Sequence, residues 1–161
     1  MTRAKAWGVA AEGALVAPME IERREPGAHD VVIDIDYSGV CHSDIHTARG
    51  EWGVPMYPVV TGHEIVGHVV AVGANVTEFK VGDLAGVGVI VDSCRDCDAC
   101  NAGFENYCLN GNVGTYNSRE LNTGATTYGG YSTSIVTDER FTFSIPTNLD
   151  AAAVAPLLCA G

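Results

Sequence analysis

A chain of 161 residues with 47% hydrophobic content has the size and composition of a single globular domain, residues 1–161. Its formal net charge of −11 argues against nucleic acid or an anionic membrane surface as partner. No apolar run approaches the roughly twenty residues of a membrane span, and the basic N-terminus leads into no secretory signal, so six cysteines are expected as thiolates in a reducing, cytoplasmic compartment rather than as disulfides.

In chain order, the pattern is mostly strands and turns. The stretch from Asp30 to Tyr37 alternates apolar and polar residues in its second half and predicts a strand. Ser43 to Arg49 predicts a short helix, with Ser43 as its cap and Gly50 as its stop. Glu64–Val72 and Leu84–Val91 are valine-rich and broken by glycine, which suits strands with tight turns or bulges. Gly129–Val136 predicts another strand. Asn148 to Ala155 starts a helix capped by Asn148 or Thr147, with Asp150 at its positive end. The nineteen glycines and many short strands predict a mainly β fold with short helices, an irregular barrel. His29 is expected in a surface loop and His68 on a packed strand.

Four cysteines fall in one run: Cys94, Cys97, Cys100 and, after a seven-residue gap, Cys108. Thiolates two residues apart in a tight loop reach one tetrahedral ion, and a fourth a short loop later closes the site. The charged Arg95, Asp96 and Asp98 between them suit an exposed knuckle. An iron–sulfur cluster of the bacterial type would place the fourth cysteine after three residues and before proline; here Leu109 follows Cys108. A closed structural zinc site is the better reading. Cys41, His63 and Cys159 can supply three ligands to a second zinc with one open position, although each residue alone is weak evidence.

Further motifs give those residues a context. Gly62-His-Glu-Ile-Val-Gly67, followed by Gly73 and Val76, resembles the zinc alcohol dehydrogenase signature G-H-E-x2-G-x5-G-x2-V at every position. Gly39-Val-Cys-His-Ser-Asp44 is similar to the segment carrying the family's first ligand, and the four-cysteine run to its structural zinc lobe. Lys80–Asp83 and Pro156–Gly161 are similar to further family segments. In detail the chain resembles the cinnamyl alcohol dehydrogenase-like branch of the zinc-dependent medium-chain alcohol dehydrogenases.

The resemblance implies a GroES-like catalytic domain, with Cys41, His63 and Cys159 as ligands of a catalytic zinc and Cys94, Cys97, Cys100 and Cys108 as ligands of a structural one. It implies Glu64 beside the metal, as a transient ligand or a carboxylate behind the ligands, and Asp44 accepting from the other ring nitrogen of His63. Ser43 would take the alcohol proton and His46 release it to solvent. As bare residues, Ser43 is equally a helix cap and His46 a solvated helix face. His42 would face the cofactor pyrophosphate, Trp52 would wall the substrate pocket, and Pro58 matches a proline that is cis in some relatives. The implied reaction interconverts primary alcohols and aldehydes with NADP or NAD.

No G-x-G-x-x-G fingerprint lies between a strand and a helix in these residues. The expectation is therefore a catalytic domain without its Rossmann domain, cut near the start of the cofactor domain and inactive alone. Cys159, two residues from the end, is expected to hold metal less firmly than the closed site does. The apolar C-terminal stretch from Leu149 onward is expected to favour self-association, and the full-length enzyme is expected to be a homo-oligomer. The alternative is a stand-alone GroES-like zinc-binding interaction module.

Overall fold

The computed structural model describes residues 2–161. Nine strands and four short helices follow in chain order: β1 (Thr2–Gly8), β2 (Ala17–Arg23), β3 (Asp30–Ser38), α1 (His42–Ala48), β4 (Ile65–Val72), β5 (Leu84–Val87), β6 (Ile90–Asp92), α2 (Asp98–Asn101), β7 (Val113–Gly114), β8 (Ser134–Asp138), β9 (Phe143–Ser144), α3 (Ala151–Val154) and α4 (Leu157–Ala160). The mainly β architecture with short helices matches the expectation from sequence. A five-stranded antiparallel sheet of order β8-β3-β4-β5-β9 is its centre. Register shifts between Val32 and Ile33 and between Ile35 and Tyr37 mark bulges in the β3–β4 pairing, the devices that bend a sheet toward a barrel.

One face of that sheet is the core. Val31, Ile33, Ile65, Val69, Ala85, Val87 and Ile135 pack together with Phe79. These are β-branched or small residues, which pack closely on a pleated surface. A second cluster joins Ala4, Ala6 and Ile21 of the β1–β2 hairpin to Val60. A third seats α3 on β4 through Val66, Ile145, Val154 and Ala155. Phe143, Leu149 and Leu157 remain exposed at the C-terminal end. Among the described residues no helix is long and apolar enough to cross a membrane.

The expected elements need several corrections. The β1–β2 hairpin was not anticipated, because its alternation (Ala4, Ala6 and Gly8 inward) uses residues with little hydrophobic signal. Leu84–Val91 is interrupted: β5 and β6 belong to different sheets, and Gly88 and Val89 lie between them. Only Ser134 onward of the Gly129–Val136 stretch is strand; the preceding residues form a loop fixed by long-range hydrogen bonds. Cys41, not Ser43, caps α1, and Asp150, not Asn148 or Thr147, caps α3 through the Ala153 N–H (3.1 Å). His68 sits on β4, but its side chain is outward and pairs with Asp36 (2.6 Å). His29 is exposed in a turn, as expected. The Tyr57–Pro58 peptide is cis.

Arg24 fastens the segment after β2 to this frame. Arg24 forms an ion pair with the buried Asp30 at the start of β3, with Nη2 2.8 Å from Oδ1, and Gly27 N–H donates to the same carboxylate. Burial pushes the Asp30 carboxyl upward, but Arg24 and Gly27 outweigh it and hold the group below the usual carboxylate range. A depressed folded value means the stabilisation is complete above about pH 4, the unfolded-state value, and is lost as pH falls through the lower folded value. Asp30→Asn is expected to cost about 1.5–3 kcal/mol at pH 7 in urea unfolding. The gap to the unaltered chain should shrink below about pH 4; a gap that persists undiminished in acid would show that the charge is not its source.

Candidate metal centres

The first site is built locally. Cys94 lies in the loop after β6, Cys97 caps α2, Cys100 lies within α2, and Cys108 follows a 3-10 turn at Glu105–Tyr107. Sγ of Cys100 is 3.9 Å from that of Cys94 and 3.5 Å from that of Cys97. All six cysteines are free, and such separations are far beyond the roughly 2.05 Å of a disulfide. Two sulfurs on one tetrahedral zinc with bonds of about 2.3 Å would stand about 3.8 Å apart, so the cluster has the spacing that ion needs. Backbone amides point at the sulfurs: Cys94 N–H at Cys108 and Leu109 N–H at Cys97, both at 3.4 Å. Amides of Asp96 and Cys97 pull the Cys94 thiol down to about 6. The Ser93 hydroxyl also lowers Cys100, but burial and Cys97 drive that thiol up to about 11. Without an ion one sulfur therefore ionises readily and another resists.

Arg95 is not the purely exposed knuckle residue its position suggested. In a left-handed conformation (φ 60°), it reaches Asp92 (2.6 Å) and Asp138 at the end of β8 (2.7 Å), and its guanidinium covers Phe141. The lobe is thereby docked on the sheet. Asp96 and Asp98 are exposed as expected.

The second site joins three distant segments. Ligand atoms of Cys41, His63, Glu64 and Cys159 all lie within 4.8 Å of one another. Sγ of Cys41 and of Cys159 are 3.9 Å apart, again the spacing two sulfurs take on one tetrahedral ion. Cys41 precedes α1, His63 and Glu64 precede β4, and Cys159 lies in α4. Two thiols and an imidazole are the nitrogen–sulfur donor set that zinc prefers, and they fit it.

Two glycines let the backbone close around this set. Gly62 has φ +102°, and a Cβ there would lie 2.9 Å from Tyr131 N. A Cβ on Gly39 would stand 2.0 Å from Glu64 Oε2. That oxygen is buried with no hydrogen-bond partner, and burial raises the Glu64 carboxyl. An orphaned carboxyl oxygen beside two thiols and an imidazole is what a cation would satisfy.

Asp44 sits behind the ligands. Its Oδ1 accepts from Gly62 N–H (2.8 Å) and lies 3.2 Å from His63 Nδ1, and its Oδ2 accepts from Cys41 N–H (2.9 Å). Burial opposes the His63 imidazolium, but Asp44 and Cys41 outweigh it and raise its proton affinity. Ser43 Oγ is 3.5 Å from Cys41 Sγ, and the Ser43 hydroxyl and amide hold that thiol below its usual range. Burial and the neighbouring Cys41 push Cys159 up to about 11.

The remaining expected residues line up along α1 and just beyond it. The His42 and His46 rings are 5.2 Å apart, and Trp52 stacks on His46 at 4.9 Å. Glu51 binds His46 Nδ1, a pairing that no sequence pattern predicts. Tyr116, whose ring is 5.5 Å from that of His63, was likewise not anticipated. Trp52 is 66% exposed, so any pocket it walls is open on this side. Two clefts of about 820 and 800 Å³ lie elsewhere, beside β2 and beside β1, and contain none of Cys41, His63 or Cys159.

Comparison with known proteins places the chain in a family. The family model for the alcohol dehydrogenase GroES-like domain matches residues 27–147. NADP-dependent alcohol dehydrogenase C 1 of Mycolicibacterium smegmatis is 58% identical over 142 residues, 88% of this chain and 40% of that protein. Cinnamyl alcohol dehydrogenase 3 of Arabidopsis thaliana is 50% identical over 99% of this chain and 42% of its own length. The chain thus spans about two fifths of the length of these curated relatives. A cinnamyl alcohol dehydrogenase structure from Sorghum bicolor superposes with a TM-score of 0.95 at 44% identity, covering 99% of this chain and 45% of that one. The Helicobacter pylori enzyme complexed with NADP(H) gives the same score at 40% identity, over 99% of this chain and 46% of that one. With its mainly β fold and the family match over most of its length, this chain belongs to the alcohol dehydrogenase GroES-like domain family.

Proposed function

We propose that this chain is the metal-binding catalytic domain of a zinc-dependent alcohol dehydrogenase that interconverts primary alcohols and aldehydes with NADP, or with NAD. The observation that carries this reading is the convergence of Cys41, His63, Glu64 and Cys159 within 4.8 Å. The identity to NADP-dependent and cinnamyl alcohol dehydrogenases supports the cofactor and the substrate class. Zinc, when bound, supplies Lewis acidity toward an alcohol or carbonyl oxygen. Cys41, His63 and Cys159 hold it, and Glu64 stands beside them.

The chain's own residues handle the proton. Ser43, beside Cys41, accepts the proton of the substrate hydroxyl in oxidation and returns it in reduction. His46, a third exposed and held by Glu51 and Trp52, exchanges that proton with solvent. His42 faces the cofactor and Trp52 the substrate. These 161 residues hold no G-x-G-x-x-G dinucleotide fingerprint, so in this reading most of the hydride donor's site is supplied by other residues and the chain alone turns over no substrate. The exposed Phe143, Leu149 and Leu157 support burial against further protein, whether the rest of a longer chain or a second copy. The same exposed surface, with the longer protein as a homo-oligomer and its six unpaired thiols in the cytoplasm, completes the reading.

Cys94, Cys97, Cys100 and Cys108 hold a second zinc with no open position, which braces the lobe and takes no part in the reaction. Cys100→Ser is expected to lower stability by at least about 2 kcal/mol in thermal or urea unfolding; a variant that keeps its stability would remove the bracing role.

In the longer protein, Cys41→Ala should abolish turnover and Ser43→Ala should lower kcat by about a hundredfold. Unchanged turnover of Cys41→Ala would overturn the catalytic reading in favour of an interaction module with structural zinc alone.

A further inference from the structure

Tyr131 lies within the loop between Tyr128 and β8, far in sequence from every ligand. Its hydroxyl donates to Asp44 Oδ2 at 2.9 Å and also lies 3.1 Å from the Gly39 carbonyl oxygen. Asp44 Oδ2 is the oxygen that accepts from Cys41 N–H, while Oδ1 serves Gly62 and His63. The Tyr116 hydroxyl also approaches this carboxylate, but of the four donors with a defined distance Tyr131 is the one not belonging to a ligand or its neighbour. Asp44 is 2% exposed, so no water replaces a missing donor cheaply.

The loop that delivers the phenol is itself fixed. Tyr131 N–H donates to Thr61 O (3.0 Å) and its carbonyl accepts from Trp7 N–H (2.8 Å). Gly129 and Gly130 donate to Val60 and Gly62 carbonyls, both at 2.8 Å. Buried Arg23 donates to the carbonyls of Tyr128 (2.5 Å), Gly129 (2.9 Å) and Ser134 (2.9 Å) and to Ser132 Oγ (2.7 Å). Four hydrogen bonds to one buried guanidinium make the loop a rigid platform. The Tyr131 ring packs against the Ala4, Ala6, Ile21 and Val60 cluster. Burial and the Asp44 carboxylate raise the phenol's proton affinity, so it remains a donor throughout the working pH range.

We infer that Tyr131 is a positioning residue of the Cys41/His63/Cys159 centre, acting through Asp44: its hydroxyl fixes the carboxylate that orients the His63 imidazole and the Cys41 backbone. The inference rests on the proposed metal centre. Losing a partner of a group that orients a ligand commonly costs about tenfold or more in metal affinity. A ring without the hydroxyl leaves the packing in place and removes only the bond to Asp44.

The test titrates cobalt(II), as a visible stand-in for zinc, into the 161-residue chain and its Tyr131→Phe variant. The four-cysteine site serves as internal reference for folding. Tyr131→Phe is expected to weaken cobalt at the Cys41/His63/Cys159 site about tenfold and to change its d–d absorption, leaving the four-cysteine step unchanged. In an Asp44→Asn background, adding Tyr131→Phe is expected to cause no further loss. Equal affinity and an unchanged spectrum in Tyr131→Phe would overturn the inference, as would full additivity with Asp44→Asn. If the unaltered chain takes up cobalt only at the four-cysteine site, the metal centre itself falls and this inference with it. Two bound equivalents together with an indifferent Tyr131→Phe would sink the inference alone.

Discussion

The carboxylate of Asp44 holds the site together. A buried carboxylate is costly, by several kcal/mol, unless its oxygens are fully satisfied. Here the Cys41 amide, the Gly62 amide, the His63 ring and the Tyr131 hydroxyl satisfy them, drawn from three separate segments of the chain. Burial raises the Asp44 carboxyl, but His63 and the two amides prevail and keep it below the usual range. The charge thus persists, and with it the attraction that keeps these segments in register. Removing any one donor leaves the other three to hold a group that has no access to water.

The two clusters are assembled in opposite ways. Cys94, Cys97, Cys100 and Cys108 are near neighbours in sequence, and a short loop with one helical turn brings their sulfurs together. Ordering that loop costs little closure entropy. Cys41, His63 and Cys159 are brought together only when β3, β4 and the C-terminal helices have packed, because each ligand hangs from a different element. The first cluster is suited to bracing. The second depends on the sheet for its geometry, and the bulged β3–β4 pairing sets the path of the chain on both sides of it.

The same difference explains what could be read from sequence. Strands β3 and β4 are legible from their β-branched runs, and the four-cysteine lobe from spacing alone. The β1–β2 hairpin is not, because alanine and glycine fill its inward positions. The α1 cap was misassigned to Ser43 because cysteine is not a usual cap; Asp44 serves the Cys41 amide instead, which side-chain type alone does not reveal. The Cys41/His63/Cys159 set became legible only through resemblance, since no local spacing joins residues so far apart. Glu51 on His46 and Tyr131 on Asp44 are contacts of the folded chain, and nothing in the neighbouring sequence of either specifies them.

A preformed second metal centre is the central claim, since the proposed reaction and the role of Tyr131 both depend on it. Anomalous diffraction at the zinc edge from crystals of the zinc-loaded chain tests it most directly. Two peaks are expected, one among Cys94, Cys97, Cys100 and Cys108 and one among Cys41, His63 and Cys159. A single peak in the four-cysteine lobe, with the Cys41 and Cys159 sulfurs well separated, would contradict it.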